Sequence, residues 1–126
     1  MAGEPLAYPP TSGWMTAIPE GWERLAPALM TIVRVRPGAA PVVSVRGELD
    51  IACAGAFEDL VLEVIIRHGP DVVIDASRMS FCDARGLGAL VRCANEAGRS
   101  GGRLTLTDPD HRLRRLLRIV HLDHLM

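Results

Sequence analysis

Residues 81–88 have the sequence Phe81-Cys82-Asp83-Ala84-Arg85-Gly86-Leu87-Gly88 and follow the apolar run Val72-Val73-Ile74-Asp75. This order predicts a strand, a short loop and the start of a helix. Asp83 is the predicted N-cap, because its carboxylate can accept hydrogen bonds from the unpaired amides of the first turn. Those amides and the helix dipole also favour an anion, so a hydroxyl on the first helical residue could carry a phosphate there. That residue is Ala84, which has no hydroxyl.

Length and composition restrict the class of protein. A chain of 126 residues is expected to form one domain. The formal net charge of −1 gives no basic field that would favour nucleic acid or an anionic membrane. The start of the chain lacks the pattern of a signal peptide, and no apolar stretch approaches the roughly 18 residues of a membrane span. The three cysteines are an odd number without metal-ligand spacing, so reduced thiols in a cytoplasmic protein are expected.

Residues 1–28 differ in composition from the remainder. They contain five of the nine prolines and both tryptophans, Trp14 and Trp22. Proline-dense sequence resists helix and central strand, so we predict a Pro-rich N-terminal arm over 1–28 and a domain over 29–126. The apolar side chains of the arm favour packing on the domain or on a partner over full exposure to water.

Strands and helices alternate along the remaining chain. Strands are predicted over Met30–Arg36, Val42–Glu48, Asp71–Ile74 and Arg103–Thr107, and helices over Asp50–His68, over Asp83–Gly98 and from Asp108-Pro109 onward. The first two strands should form an antiparallel pair. This alternation predicts an α/β domain with a mixed sheet that is parallel where helices cross over.

The sequence shows no catalytic constellation. The four histidines lack zinc-ligand spacing, and Gly86-Leu87-Gly88 has neither a Walker lysine nor a dinucleotide-binding context. We therefore predict neither an enzyme nor a cofactor or metal site.

Polar residues at two strand-to-helix junctions remain to be explained. Glu48 and Asp50 follow the second predicted strand, and Asp83, Ala84 and Arg85 follow the third. If these strands are parallel neighbours, both junctions lie at the end of the sheet where ligands and partners of open α/β sheets bind. Helix capping alone is one explanation of the aspartates. Two such carboxylates beside a glycine-containing helix start favour a docking surface.

The junctions and strands together resemble the STAS domain, most of all its bacterial anti-sigma-factor antagonists. The matching segments are Gly47–Ile51, Val72–Asp75, Met79–Gly88 and Gly101–Leu104. The resemblance implies a single STAS-like domain, with a mixed four- to five-stranded sheet packed against helices.

The resemblance also implies a function. Such antagonists bind a serine-kinase anti-sigma factor and thereby release a sigma factor, until the kinase phosphorylates a serine at the start of the second main helix. In the motif Asp-Ser-Ser/Thr-Gly-Leu-Gly, Asp83 matches the aspartate, Ala84 takes the phosphoacceptor position and Arg85 takes the next one. The implied partner-binding residues are Glu48, Asp50, Cys82, Asp83, Ala84, Arg85, Gly86, Leu87 and Gly88.

Ala84 leaves three explanations open: an antagonist that is always competent to bind, an engineered serine-to-alanine form, or a protein with another partner. One alternative function is redox sensing, because Cys53 and Cys82 flank the two junctions and could come within the roughly 4.4–6.8 Å Cα separation of a disulfide. Another is a scaffold that self-associates as a homodimer, through the arm or the Leu-rich last helix. Neither alternative involves nucleic acid or a membrane.

Overall fold

A computed structural model describes residues 21–126. The elements along this part of the chain are β1 (Glu23–Ala26), β2 (Leu29–Arg34), β3 (Val42–Leu49), α1 (Ala54–His68), β4 (Val72–Cys82), α2 (Ala84–Arg99), β5 (Leu104–Thr107), α3 (His111–Ile119) and a 3-10 turn (Asp123–Leu125). No helix among these is long and apolar enough to cross a membrane.

The five strands form one mixed sheet in the order β1-β2-β3-β4-β5. β2 is antiparallel to both of its neighbours, β1 and β3, whereas β3, β4 and β5 are parallel. The predicted α/β class, the mixed sheet and the antiparallel first pair are thereby confirmed. Because β3 and β4 run the same way, their carboxyl ends lie together, with Leu49 opposite Cys82.

The helices pack against the sheet in one apolar core. On β3, alternate residues contribute to it, including Val43, Val45 and Leu49, all at most 1% exposed. Phe57 and Val61 of α1 are fully buried in the same cluster. Apart from Leu90, the buried residues of α2 have short side chains: Gly86, Ala89, Cys93 and Ala97. These small residues allow α2 to lie close to the strands whose ends carry the polar junctions.

β4 is much longer than the predicted strand over Asp71–Ile74, because it continues to Cys82. Only its first four residues pair with β5, but β3 pairs with it from Val73 to Cys82. Irregular register along this pair breaks the two-residue alternation, so the local pattern failed to show the second half of the strand.

Two helices begin later than predicted. α1 starts at Ala54 rather than Asp50, because residues 51–53 form a turn. α3 starts at His111 with Asp110 as its N-cap, so Asp108-Pro109 lies before the helix and does not open it. Asp108 has a φ of 52°, which is outside the helical region.

The predicted arm over 1–28 includes β1, which the sequence did not predict. β1 is an edge strand that pairs with β2, Arg24 lying opposite Met30. Trp14 and the other residues before Gly21 lie outside the described part of the chain. The boundary between arm and domain stays a prediction.

Candidate docking site at the carboxyl ends of β3 and β4

Asp83 is the N-cap of α2, as predicted. Its backbone is extended, and Oδ1 accepts the backbone N–H of Gly86 at 2.8 Å. The Asp83 carbonyl oxygen accepts the N–H of Leu87 at 2.8 Å, which starts the helical ladder. An Asp in this position satisfies one of the amides that a helix start leaves unpaired.

The second carboxylate oxygen of Asp83 reaches the other junction. Oδ2 accepts the backbone N–H of Ile51 at 3.3 Å. In addition, the Asp83 N–H donates to the carbonyl oxygen of Leu49 at 3.2 Å. The loop after β3 and the start of α2 are therefore joined directly, rather than lying side by side without contact.

Asp50 organises the turn that leads from β3 into α1. Its Oδ1 accepts the N–H of Ala52 at 3.0 Å, and its carbonyl oxygen accepts the N–H of Ala54 at 2.9 Å. An Asp side chain that bonds the backbone two residues on is typical of such turns. The half-buried Asp50 carboxylate thus has a structural role at the edge of the site.

Gly86 allows the close approach of the two junctions. A Cβ at this position would overlap the carbonyl oxygen of Leu49. Gly86 is buried and Leu87 is half-buried against the core. A Cβ at Gly88 would meet only the flexible guanidinium of Arg92. Gly86 and Leu87 therefore shape the site from below, whereas the preceding residues Ala84 and Arg85 are exposed.

Ala84 and Arg85 are exposed in the first turn of α2. No acidic residue lies in that turn. The positive charge of Arg85 lies at the positive end of the helix dipole, which destabilises the helix by roughly 0.3–1 kcal/mol. The Ala84 methyl group faces solvent at the position that the family motif gives to a phosphoacceptor. Glu48, exposed on β3 opposite Phe81, adds a carboxylate nearby.

Two exposed apolar residues were missing from the predicted site. Ile51 is 63% exposed in the turn after β3, and Phe81 is 52% exposed near the end of β4. In the sequence, each junction contains one of these apolar residues, which could have indicated an apolar contact. Only the structure shows that neither side chain is buried. Ile51 lies at the Asp83 carboxylate, whereas Phe81 lines a small cavity with Cys82 and Asp110.

The cysteines lie behind this surface. The Cys53 thiol is buried and donates to the Glu48 carbonyl oxygen at 3.3 Å. Burial raises the pKa of Cys53, and burial together with the nearby Asp83 charge raises the pKa of Cys82 to about 12. Thiols with a raised pKa contain little reactive thiolate at neutral pH. All three cysteines are free, and the proposed redox role stays a prediction.

Within residues 21–126, no group of three His, Cys, Asp or Glu could hold a metal ion.

The chain matches a known family over most of its length. The family described as "Mlab, STAS domain" matches residues 32–126. The chain is similar to the anti-sigma-F factor antagonist RsfB of Mycobacterium tuberculosis, with 31% identity over 75 residues. That alignment covers 60% of this chain and 62% of RsfB, which is less than two thirds of the relative's length.

Solved structures of anti-sigma factor antagonists are also similar to this chain. An anti-sigma factor antagonist from Mycobacterium paratuberculosis is 31% identical, with a TM-score of 0.63, over 77% of this chain and 81% of that one. The anti-sigma factor antagonist SpoIIAA in its unphosphorylated form has a TM-score of 0.67 at 21% identity, over 76% of this chain and 84% of that one. At that identity, the likeness to SpoIIAA shows a shared fold.

Proposed function

The chain belongs to the STAS domain family, and from this premise we propose that it is an anti-sigma-factor antagonist that acts by binding rather than by catalysis. Its partner is a serine-kinase anti-sigma factor, which it occupies so that a sigma factor is released. The names of the similar mycobacterial proteins support this class of function. The partner-binding surface consists of the turn after β3 and the first turn of α2.

The observation that carries the proposal is the bond from the Ile51 N–H to the Asp83 carboxylate. It joins two junctions that are 32 residues apart in sequence into one continuous surface. Asp50, Asp83, Ala84 and Arg85 are brought together there, and Gly86 keeps the two junctions in contact. A surface held in place before binding loses less conformational entropy on association than a flexible one.

Ala84 implies that the usual phosphorylation switch is absent. In the motif that this chain resembles, the hydroxyl at that position receives the phosphate that ends binding. A methyl group has no oxygen to phosphorylate. We therefore propose that this antagonist stays competent to bind its partner in the presence of ATP.

The test is titration calorimetry against each serine-kinase anti-sigma factor from the protein's own source, with and without ATP. The unaltered chain and its Ala84→Ser variant should both bind without ATP, and only Ala84→Ser should lose binding when ATP is added. Ala39→Ser is the matched control, because it adds a hydroxyl to an exposed loop at the other end of β3. Absence of binding to every such kinase would overturn the proposal.

A further inference from the structure

We infer that partner binding depends on two apolar side chains, Ile51 and Phe81, and that the partner presents apolar surface to them and a carboxylate to Arg85. This inference rests on the proposed function, and it specifies the chemistry that the partner must have.

The exposure of these two side chains is costly without a partner. Ile51 is 63% and Phe81 is 52% exposed. Single exposed apolar residues are common on protein surfaces, but both of these are linked to one residue, Asp83. Phe81 precedes Asp83 by two residues, and the Ile51 N–H donates to the same Asp83 side chain. Exposed apolar residues with polar surroundings are typical of protein–protein contact sites.

Both residues are held in position by the fold. The Ile51 backbone is held by its N–H bond to Asp83, and Phe81 belongs to β4, where it lies opposite Glu48 of β3. The binding residues that contribute most are commonly rigid and apolar or aromatic at the centre of a contact. Ile51 and Phe81 have this character, and their backbone positions need no reordering on association.

Small residues at both junctions allow close approach. Ala52 and Ala84 are both exposed and carry only a methyl group. A partner can therefore reach the backbone of both junctions without displacing a long side chain. Such an approach would bury Ile51 and Phe81 together.

Arg85 defines the charge of the partner. Its guanidinium is exposed, and it takes part in none of the three salt bridges among residues 21–126, which use Arg67, Arg92 and Arg99. Its location in the first turn of α2 is unfavourable to the helix. A carboxylate on the partner could form a two-bond contact with the guanidinium and remove that disadvantage.

The experiment compares Ile51→Ser, Phe81→Ser and Arg85→Glu with the control Ile66→Ser. Ile66 is 83% exposed in the last turn of α1, at the opposite end of the sheet from the site. Calorimetry uses the serine-kinase anti-sigma factor that the unaltered chain binds. Each site variant should weaken binding by about tenfold or more, and Ile66→Ser should leave the affinity unchanged.

A second measurement needs no variant. In the unaltered chain, the Ile51 methyl resonances should shift on complex formation with the same kinase, whereas those of Ile66 should stay in place. Site variants that bind as tightly as Ile66→Ser, or an Ile51 methyl group that does not respond, would overturn the inference and leave the proposed function standing. If the unaltered chain binds no such kinase, both fail.

Discussion

The carboxylate of Asp83 accepts the backbone N–H of Ile51 at 3.3 Å, across 32 residues of sequence. The same carboxylate caps α2 through Gly86. One side chain therefore stabilises a helix start and holds the neighbouring turn against it. Helix capping and the joining of the two junctions are two consequences of the same group, rather than competing explanations of it.

Replacing Asp83 should affect both stability and binding. Asp83→Ala removes the N-cap of α2 and the bond to Ile51, so the free energy of unfolding should fall by about 1–2 kcal/mol. Partner affinity should fall as well, because the turn after β3 is released. Urea unfolding and calorimetry measure the two effects.

Asp110→Ala is the matched control for this change. Asp110 caps α3 in the same way, accepting the Leu113 N–H at 2.9 Å, but it has no bond to the turn after β3. This variant should lose about as much stability but less partner affinity than Asp83→Ala, because Asp110 lies near Phe81 and does not hold the turn after β3. Equal losses of affinity in both variants would show that Asp83 acts only through overall stability.

Two of the three glycines of α2, Gly86 and Gly88, should respond in opposite ways to alanine. Gly86→Ala would drive a methyl group into the Leu49 carbonyl oxygen, so we expect the free energy of unfolding to fall by about 1–3 kcal/mol. Gly88→Ala meets only the Arg92 guanidinium, which can move, and it should be neutral or stabilising by up to about 1 kcal/mol. Chemical denaturation of both variants checks this, and equal stabilities would refute the close packing of α2 on β3.

A negative charge at position 84 should weaken docking. Ala84→Glu places a carboxylate in a contact that loses water on binding, and leaving such a charge without a partner is costly. Asn95→Glu is the control, because Asn95 is exposed on the same helix but away from its start. Calorimetry should show weaker binding only for Ala84→Glu, and an unchanged affinity would place the interface elsewhere.

The stability of the protein should fall at alkaline pH because of its buried thiols. Burial raises the pKa of Cys93, which is fully buried, to about 12. Unfolding returns the thiol to its ordinary pKa, so its contribution is complete below about pH 9 and is lost as the pH rises from there towards 12. Each such thiol contributes a slope of about −1.4 kcal/mol per pH unit in that window.

Urea unfolding between about pH 8 and about pH 10.5 measures this slope. Cys93→Ala should reduce it, since that variant has one thiol fewer to deprotonate on unfolding. A slope that is the same in both proteins would mean that Cys93 does not titrate on unfolding.

Local features were predictable from the sequence. Asp83 was identified as the N-cap of α2 because capping involves residues only three apart, and Gly86 lies that far along. The apolar faces of α1 and α2 follow from helical periodicity. The parallel arrangement of β3 and β4 followed from the strand–helix–strand order, since crossovers of this kind place parallel strands side by side.

Tertiary structure decided what depends on partners distant in sequence. β4 extends to Cys82 because β3 lies beside it, although its own residues 76–82 lack a regular alternation. β1 exists because β2 offers it an edge. The same holds for the site. No local pattern contains the contact between Asp83 and Ile51, and the exposure of Phe81 is set by what packs around it. The sequence by itself determined the Asp83 cap and the apolar faces of the helices, whereas long-range pairing determined which residues share one surface.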